Sequence, residues 1–189
     1  MSLVIMILAV LLWSPLAIPS ATASDKGPDP ESGFYLHRIF LGVLAHDVDG
    51  LWSGTRKEGG VDINGEIVFG RTGRTVLAGT LHPNLGLSIN SQGDTSKLYG
   101  GILWEVKYPS GLFFSAGLGA AVHNGKLDTH DKHKKSLGSR LLFRIPIEIG
   151  YQVTAHHSLS ILFDHVSNAY LASPNEGLDT VGIRFGYLF

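Results

Sequence analysis

The sequence predicts an eight-stranded antiparallel transmembrane β-barrel, and three observations predict it. From Ile39 to Phe189 the chain can be written as eight segments in which apolar and polar residues alternate. That is the period of a strand whose two faces meet different surroundings. The apolar rows tend to end in aromatics (Phe69, Tyr108, Tyr151, Tyr187, Phe189), while the opposite rows carry small and charged residues. An interfacial aromatic girdle outside and a narrow polar lumen inside call for that arrangement. After the first residues, no stretch approaches the roughly 20 apolar residues that a membrane helix needs.

Each segment can be justified in turn. Ile39 to Asp47 is the least regular and tolerates a shift of one residue. Val61 to Phe69 sets Val61, Ile63, Ile67 and Phe69 against Asp62, Asn64 and Glu66. Leu77 to Asn90 sets Leu81, Leu85, Leu87 and Ile89 against Thr80, His82, Asn84 and Ser88. Leu98 to Tyr108 opposes Ile102, Trp104 and Val106 to Tyr99, Glu105 and Lys107. Leu112 to His123 places Phe114, Leu118 and Val122 outward, and Arg140 to Tyr151 does the same with Phe143, Ile145 and Ile147. Leu159, Ile161 and Phe163 begin a seventh apolar row, and Val181, Ile183 and Phe185 belong to the eighth. Pro83 and Pro146 fall inside segments and remove ladder donors, so bulges or local breaks are expected there. Glu66, Glu105, Arg144, Glu148, Asp164 and Arg184 share lumen parity and are expected to pair with one another, since buried charges need partners.

The chain has 189 residues, 44% of them hydrophobic, which supports one domain. It has no cysteine, which excludes a disulfide-stapled module. A net charge of -1 gives no electrostatic footing for nucleic acid. The apolar run over 3–18, followed by Ala21-Thr22-Ala23, reads as a signal peptide over 1–23, although no Lys or Arg precedes Lys26. A retained membrane anchor is the alternative. Residues 24–38 read as a flexible lead-in and 39–189 as the barrel. With both termini on the periplasmic side, 49–60, 91–97, 124–138 and 170–177 become outer loops, and 70–76, 109–111 and 154–157 become turns.

One group of polar residues breaks the pattern. His165 and Ser167 lie two apart and continue the apolar face of Leu159, Ile161 and Phe163. In the next segment Asp179 shares the apolar parity. If the two strands pair as a hairpin, it lies opposite or diagonal to His165 or Ser167, within about 5 to 8 Å. A base, a nucleophile and an acid thus converge on one outward face, as in a hydrolytic triad. The competing reading is a set of polar rim residues at headgroup level.

The run Asp164-His-Val-Ser-Asn-Ala-Tyr-Leu-Ala-Ser-Pro-Asn-Glu-Gly-Leu-Asp179 resembles the signature of the lipid A 3-O-deacylases of Gram-negative outer membranes, a family of eight-stranded barrels. The resemblance implies Ser167 as nucleophile, His165 as general base and Asp179 as acidic orienter. It implies Asn175 as side-chain donor to the oxyanion, with Asn168 in support. It also implies lipid A as substrate, outer-membrane lipid as surroundings and no cofactor or metal. A homodimer is left open. Two departures stand out: the family acid is usually Glu, so that Glu176 is an alternative to Asp179, and Tyr170 occupies a place where a small residue is expected.

Other polar groups have plainer readings. His46 and Asp47 could form a second acid–base pair but are expected to be rim residues. Asp128 to Lys135 contains His130 and His133 yet lacks strand or helix geometry to fix a metal, so a solvated loop is expected. Lys132, Lys134 and Lys135 would there face lipid phosphates as point charges. Two rival functions share the architecture: a non-catalytic structural or adhesive barrel, and an acyltransferase of the lipid A palmitoyltransferase type, which would need an acyl pocket in the lumen.

Overall fold

The computed structural model describes residues 35–70 and 75–189. The expected signal peptide and most of the lead-in lie outside the described residues. The strands are β1 (Tyr35–Ala45), β2 (Val61–Gly70), the two-residue β3 (Thr75–Val76), β4 (Gly79–Asn90), β5 (Lys97–Lys107), β6 (Leu112–His123), β7 (Leu141–Gln152), β8 (His157–Ser167) and β9 (Leu178–Leu188). Every neighbouring pair is antiparallel, and β3 is only a short extension hydrogen-bonded to β4. The other eight strands form a closed barrel. The β1–β9 ladder, from Arg38↔Leu188 to Ala45↔Val181, joins the two ends of the sheet. At that seam Gly182 is required: a Cβ there would lie 2.1 Å from the Val43 carbonyl oxygen.

Alternation holds as expected. Leu41, Ile63, Leu85, Leu118, Phe143, Ile161 and Ile183 are exposed on the outside. The lumen is filled by paired charges, three of them arginines. The Arg184 guanidinium donates to Glu148 Oε2 at 2.5 Å and to Glu66 Oε2 at 2.8 Å. Arg144 donates to Asp164 at 2.6 Å and stacks 3.6 Å over the Tyr99 ring. Lys97 pairs with Asp164 at 2.8 Å, and Arg38 donates to Glu105 at 2.8 Å. All six of the expected charged residues take part, since charges buried in the lumen need partners.

One sequence expectation is corrected, and that for the two prolines is met as local breaks. The first strand starts at Tyr35, so Tyr35–Arg38 belongs to the barrel rather than to a lead-in. A bulge between Leu36 and Arg38 adds one residue, which breaks the parity that would have revealed the strand. At the two prolines the ladder on one side breaks locally, without a bulge. Pro83 stays in register with Ile102, and the β2 ladder ends one residue away, at Val68↔Asn84. Pro146 pairs in register with Asp164 on β8, and only its ladder to β6 lapses before resuming in the same register. Pro109-Ser110-Gly111 does make the tight turn: the Gly111 amide donates to the Tyr108 carbonyl at 2.9 Å.

The connections that follow β1, β4, β6 and β8 gather at one end of the barrel. The functional residues sit at this loop end.

Candidate active site

β8 and β9 pair with His165 directly opposite Asp179. Cross-strand neighbours on one face are within side-chain reach, and here the contact is made: His165 Nδ1 lies 2.6 Å from Asp179 Oδ1. The other ring nitrogen, Nε2, lies 3.0 Å from Ser167 Oγ, two residues along the same face. The imidazole therefore bridges a hydroxyl and a carboxylate. With Nδ1–H donating to the carboxylate, Nε2 is left as an acceptor for the hydroxyl proton, the arrangement needed for a serine nucleophile.

Although the three residues have outward parity, His165 and Asp179 are buried. The connection between β1 and β2 folds over them. The Ser53 amide donates to Asp179 Oδ2 at 2.7 Å, and the Val48 amide donates to the Asp179 carbonyl at 2.9 Å. The Trp52 ring stands edge-on to His165, with centroids 5.0 Å apart and planes at 82°. Sequence reasoning did not find Trp52 or Ser53. Both lie in a loop without periodicity, so no pattern in the chain points to them.

A cleft of about 160 Å³ opens beside Ser167, lined by Trp52, His165, Ala169, Tyr170, Asn175, Glu176 and Gly177. Asn175 Oδ1 accepts from the Asn168 amide at 2.9 Å, which leaves Asn175 Nδ2 as the end available to the cleft. Asn168 acts as a brace: its Nδ2 donates to the carbonyls of Leu137 and Pro174 at 3.0 and 2.8 Å. Ala169 and Tyr170 both take left-handed backbone conformations, at φ 52° and 62°. Non-glycine residues held there cost about 1–3 kcal/mol each, strain that tends to occur at functional sites. Their amides have no protein acceptor among the described residues. The Tyr170 side chain is 87% exposed, so it stands off the rim instead of filling the site.

Glu176 does not contact His165. It accepts from the Ser136 amide at 2.6 Å and pairs with Lys57, tying two loops together. Burial opposes its charge, but the Lys57 ammonium and the Ser136 amide outweigh that and hold its carboxyl below the usual range.

His46 and Asp47 are not exposed rim residues, as had been expected; both are fully buried beneath the loops. His46 sits between Asp62 at 2.8 Å and Glu58 at 3.0 Å. Burial disfavours its charge, yet the two carboxylates prevail and raise its pKa to about 9. Burial likewise penalises the Glu58 carboxylate, but His46 and the amides of Lys135 and Thr95 bring it down to about 2.

The lysine expectation is corrected in part. Lys135 is buried, bonded to Asp47 at 3.2 Å and donating to the carbonyls of Ser53 and Thr55. Lys134 pairs with Asp94. Lys132 remains exposed, as do His130 and His133.

One group of metal-ligand type occurs among the described residues: His37, His82 and Glu105, at the turn end of the barrel. The Lys107 ammonium already lies there, 3.3 Å from His37 Nε2 and 3.2 Å from Glu105 Oε1. With Arg38 on its other oxygen, Glu105 is neutralised twice over, and the group is an ion-pair knot.

Comparison with known proteins bears on the fold and the family. A curated relative, the lipid A deacylase PagL of Bordetella bronchiseptica, is 31% identical over 78 residues, 41% of this chain and 42% of that protein. The match thus spans less than half the length of that relative. Among solved structures, the outer membrane enzyme PagL superposes with a TM-score of 0.61 at 18% identity, over 80% of this chain and 99% of that one. A de novo designed transmembrane β-barrel gives 0.50 at 13% identity, over 82% and 98%. At such identities the superpositions speak for the fold alone. The model of the family described as lipid A 3-O-deacylase (PagL) matches residues 80–188, which hold Ser167, His165, Asp179 and Asn175, and the chain belongs to that family.

Proposed function

We propose that this barrel is an outer-membrane esterase that hydrolyses the 3-O-linked acyl ester of lipid A, with its loop end facing the cell exterior. The observation that carries the reading is the bridge of His165 between Ser167 and Asp179. Ser167 Oγ attacks the ester carbonyl carbon while its proton passes to His165 Nε2. Asp179 stabilises the resulting imidazolium through Nδ1–H. The oxyanion is met by Asn175 Nδ2 and a backbone amide of the Ala169–Tyr170 turn. Collapse expels the sugar hydroxyl, which takes the proton from His165 and leaves an acyl-serine. Water, deprotonated by His165, then releases a 3-hydroxy fatty acid and regenerates Ser167.

Family membership supports the substrate class, and the outward face of the site supports a lipid one. The packed lumen argues against an acyltransferase, because three arginines with their partners occupy the place of an acyl pocket. Lipid A profiling by mass spectrometry tests the reading in cells carrying the wild-type chain or Ser167→Ala. Loss of one 3-O-linked acyl chain with the wild type alone is the expected result. Gain of a chain would indicate an acyltransferase, and an unchanged profile a non-catalytic barrel.

A further inference from the structure

We infer that the loop joining β1 and β2 is a working part of the active site, with the Ser53 amide and the Trp52 ring as positioning groups for the Asp179–His165 pair. The inference rests on the proposed catalytic roles of those two residues. Residues 46–60 lie outside the segment that the family model matches.

A carboxylate that orients an imidazole must itself be fixed, since rotation of its plane would carry the accepting oxygen away from Nδ1. Asp179 uses one oxygen for His165 and the other for the Ser53 amide, at 2.6 and 2.7 Å. The two bonds fix the carboxylate plane. The peptide that supplies the amide is held in turn. The Ser53 carbonyl accepts from the buried Lys135 ammonium at 3.1 Å, and that ammonium also pairs with Asp47. Asp47 accepts from the amides of Lys57 and Glu58 at 2.6 and 2.9 Å, pinning the far side of the loop. The contact is thus part of a braced structure, not a chance touch by a free loop.

Trp52 acts on the other partner. Its ring meets His165 edge-on and also packs against Phe163, with centroids 5.6 Å apart. It closes the side of the imidazole that would otherwise face lipid or water and limits rotation of the ring. A displacement of about 1 Å in such a group can cost on the order of 10²-fold in rate.

The contribution of Ser53 comes from its backbone, which gives a clean test. Ser53→Ala keeps the amide donor to Asp179 and serves as the reference for the proline variant. Ser53→Pro removes the donor, and Trp52→Ala and Trp52→Phe keep the inference testable if the proline variant fails to fold. Initial rates are measured on lipid A in detergent micelles with purified barrels whose closure is verified by heat-modifiable mobility. We expect Trp52→Ala and Ser53→Pro to lower kcat by about tenfold or more at nearly unchanged KM, the sign of lost transition-state alignment. Trp52→Phe should recover most of the rate. In an Asp179→Ala background Ser53→Pro should have little further effect, because groups that act through one another are not additive.

A rise in KM at constant kcat would make Trp52 a substrate-binding surface and overturn the inference. So would full additivity of Ser53→Pro with Asp179→Ala, or wild-type kcat in both loop variants. Ser167→Ala, run in parallel, separates the two levels. An active Ser167→Ala protein overturns the catalytic reading itself; an inactive one beside unimpaired loop variants overturns only the role of the loop.

Discussion

Raising the pH from 6.5 to 9 should loosen the loop end of the barrel while its strands stay closed. His46 is buried between Glu58 and Asp62 and lies outside the membrane-spanning strands. Its pKa is about 9 with the loops packed, and loop opening that carries His46 away from Glu58 and from Asp62 on β2 moves it down toward the ordinary value near 6.5. A proton held more tightly in the packed state stabilises that state. The contribution is complete below pH 6.5 and disappears as pH rises through 9, and the difference between the two values sets an upper bound of roughly 3 kcal/mol. Glu58 behaves in the opposite sense. Its carboxylate, lowered to about 2, stabilises the packed loops fully above pH 4.5 and ceases to do so as pH falls through 2. The loop end is therefore firmest between about pH 4.5 and 6.5. Hydrogen exchange can read this at the amides of Thr95 and Lys135, which donate to Glu58. Corrected for intrinsic rates, their protection should fall by up to about 3 kcal/mol between pH 6.5 and 9, with strand amides such as Leu162 unaffected. His46→Gln should lower protection at pH 6.5 and abolish the slope. Protection that stays flat across the window in the wild-type chain, or a slope that survives His46→Gln, would refute the reasoning.

Other expectations concern catalysis and the barrel. Asp179→Asn should leave more residual deacylation than Ser167→Ala, since an orienter acts less directly than a nucleophile; single-turnover rates decide. Asn175→Ala should reduce kcat by about 10²-fold or more, as expected for loss of one oxyanion donor. Arg184→Leu leaves Glu148 without its cationic partner in the lumen, while Glu66 keeps Arg144, and should destabilise the barrel by about 3–5 kcal/mol, measured by urea unfolding in lipid bilayers. Gly182→Ala pushes a methyl group into the β1–β9 seam and should reduce the fraction that folds to the heat-modifiable form.

The barrel was legible because a period of two survives along most of each strand, and because one face had to meet lipid. The core of the site was legible for the same reason: His165, Ser167 and Asp179 interrupt an apolar row, and hairpin pairing brings them together. The bulge at the start of β1 hid Tyr35–Arg38, since a single extra residue inverts the parity on one side of it. Lys135 read as one of three solvated lysines, and only the folded loops bring Asp47 to it. Ser53 contributes an amide, a group every residue but proline possesses, so its identity could not have signalled the role. Trp52 is distinctive in type, but its position follows from how one loop lies across two strands, a contact that periodicity does not encode.

The placement of Ser167 on the outer wall, instead of in an enclosed chamber, has a kinetic consequence. The proposed substrate would arrive by lateral diffusion within one leaflet, and encounters would be counted per unit area. Turnover would then follow the mole fraction of lipid A among its neighbours, so that adding inert lipid slows the reaction at constant total substrate. The cleft beside Ser167 would serve as a landing place at the shoreline of a two-dimensional sea.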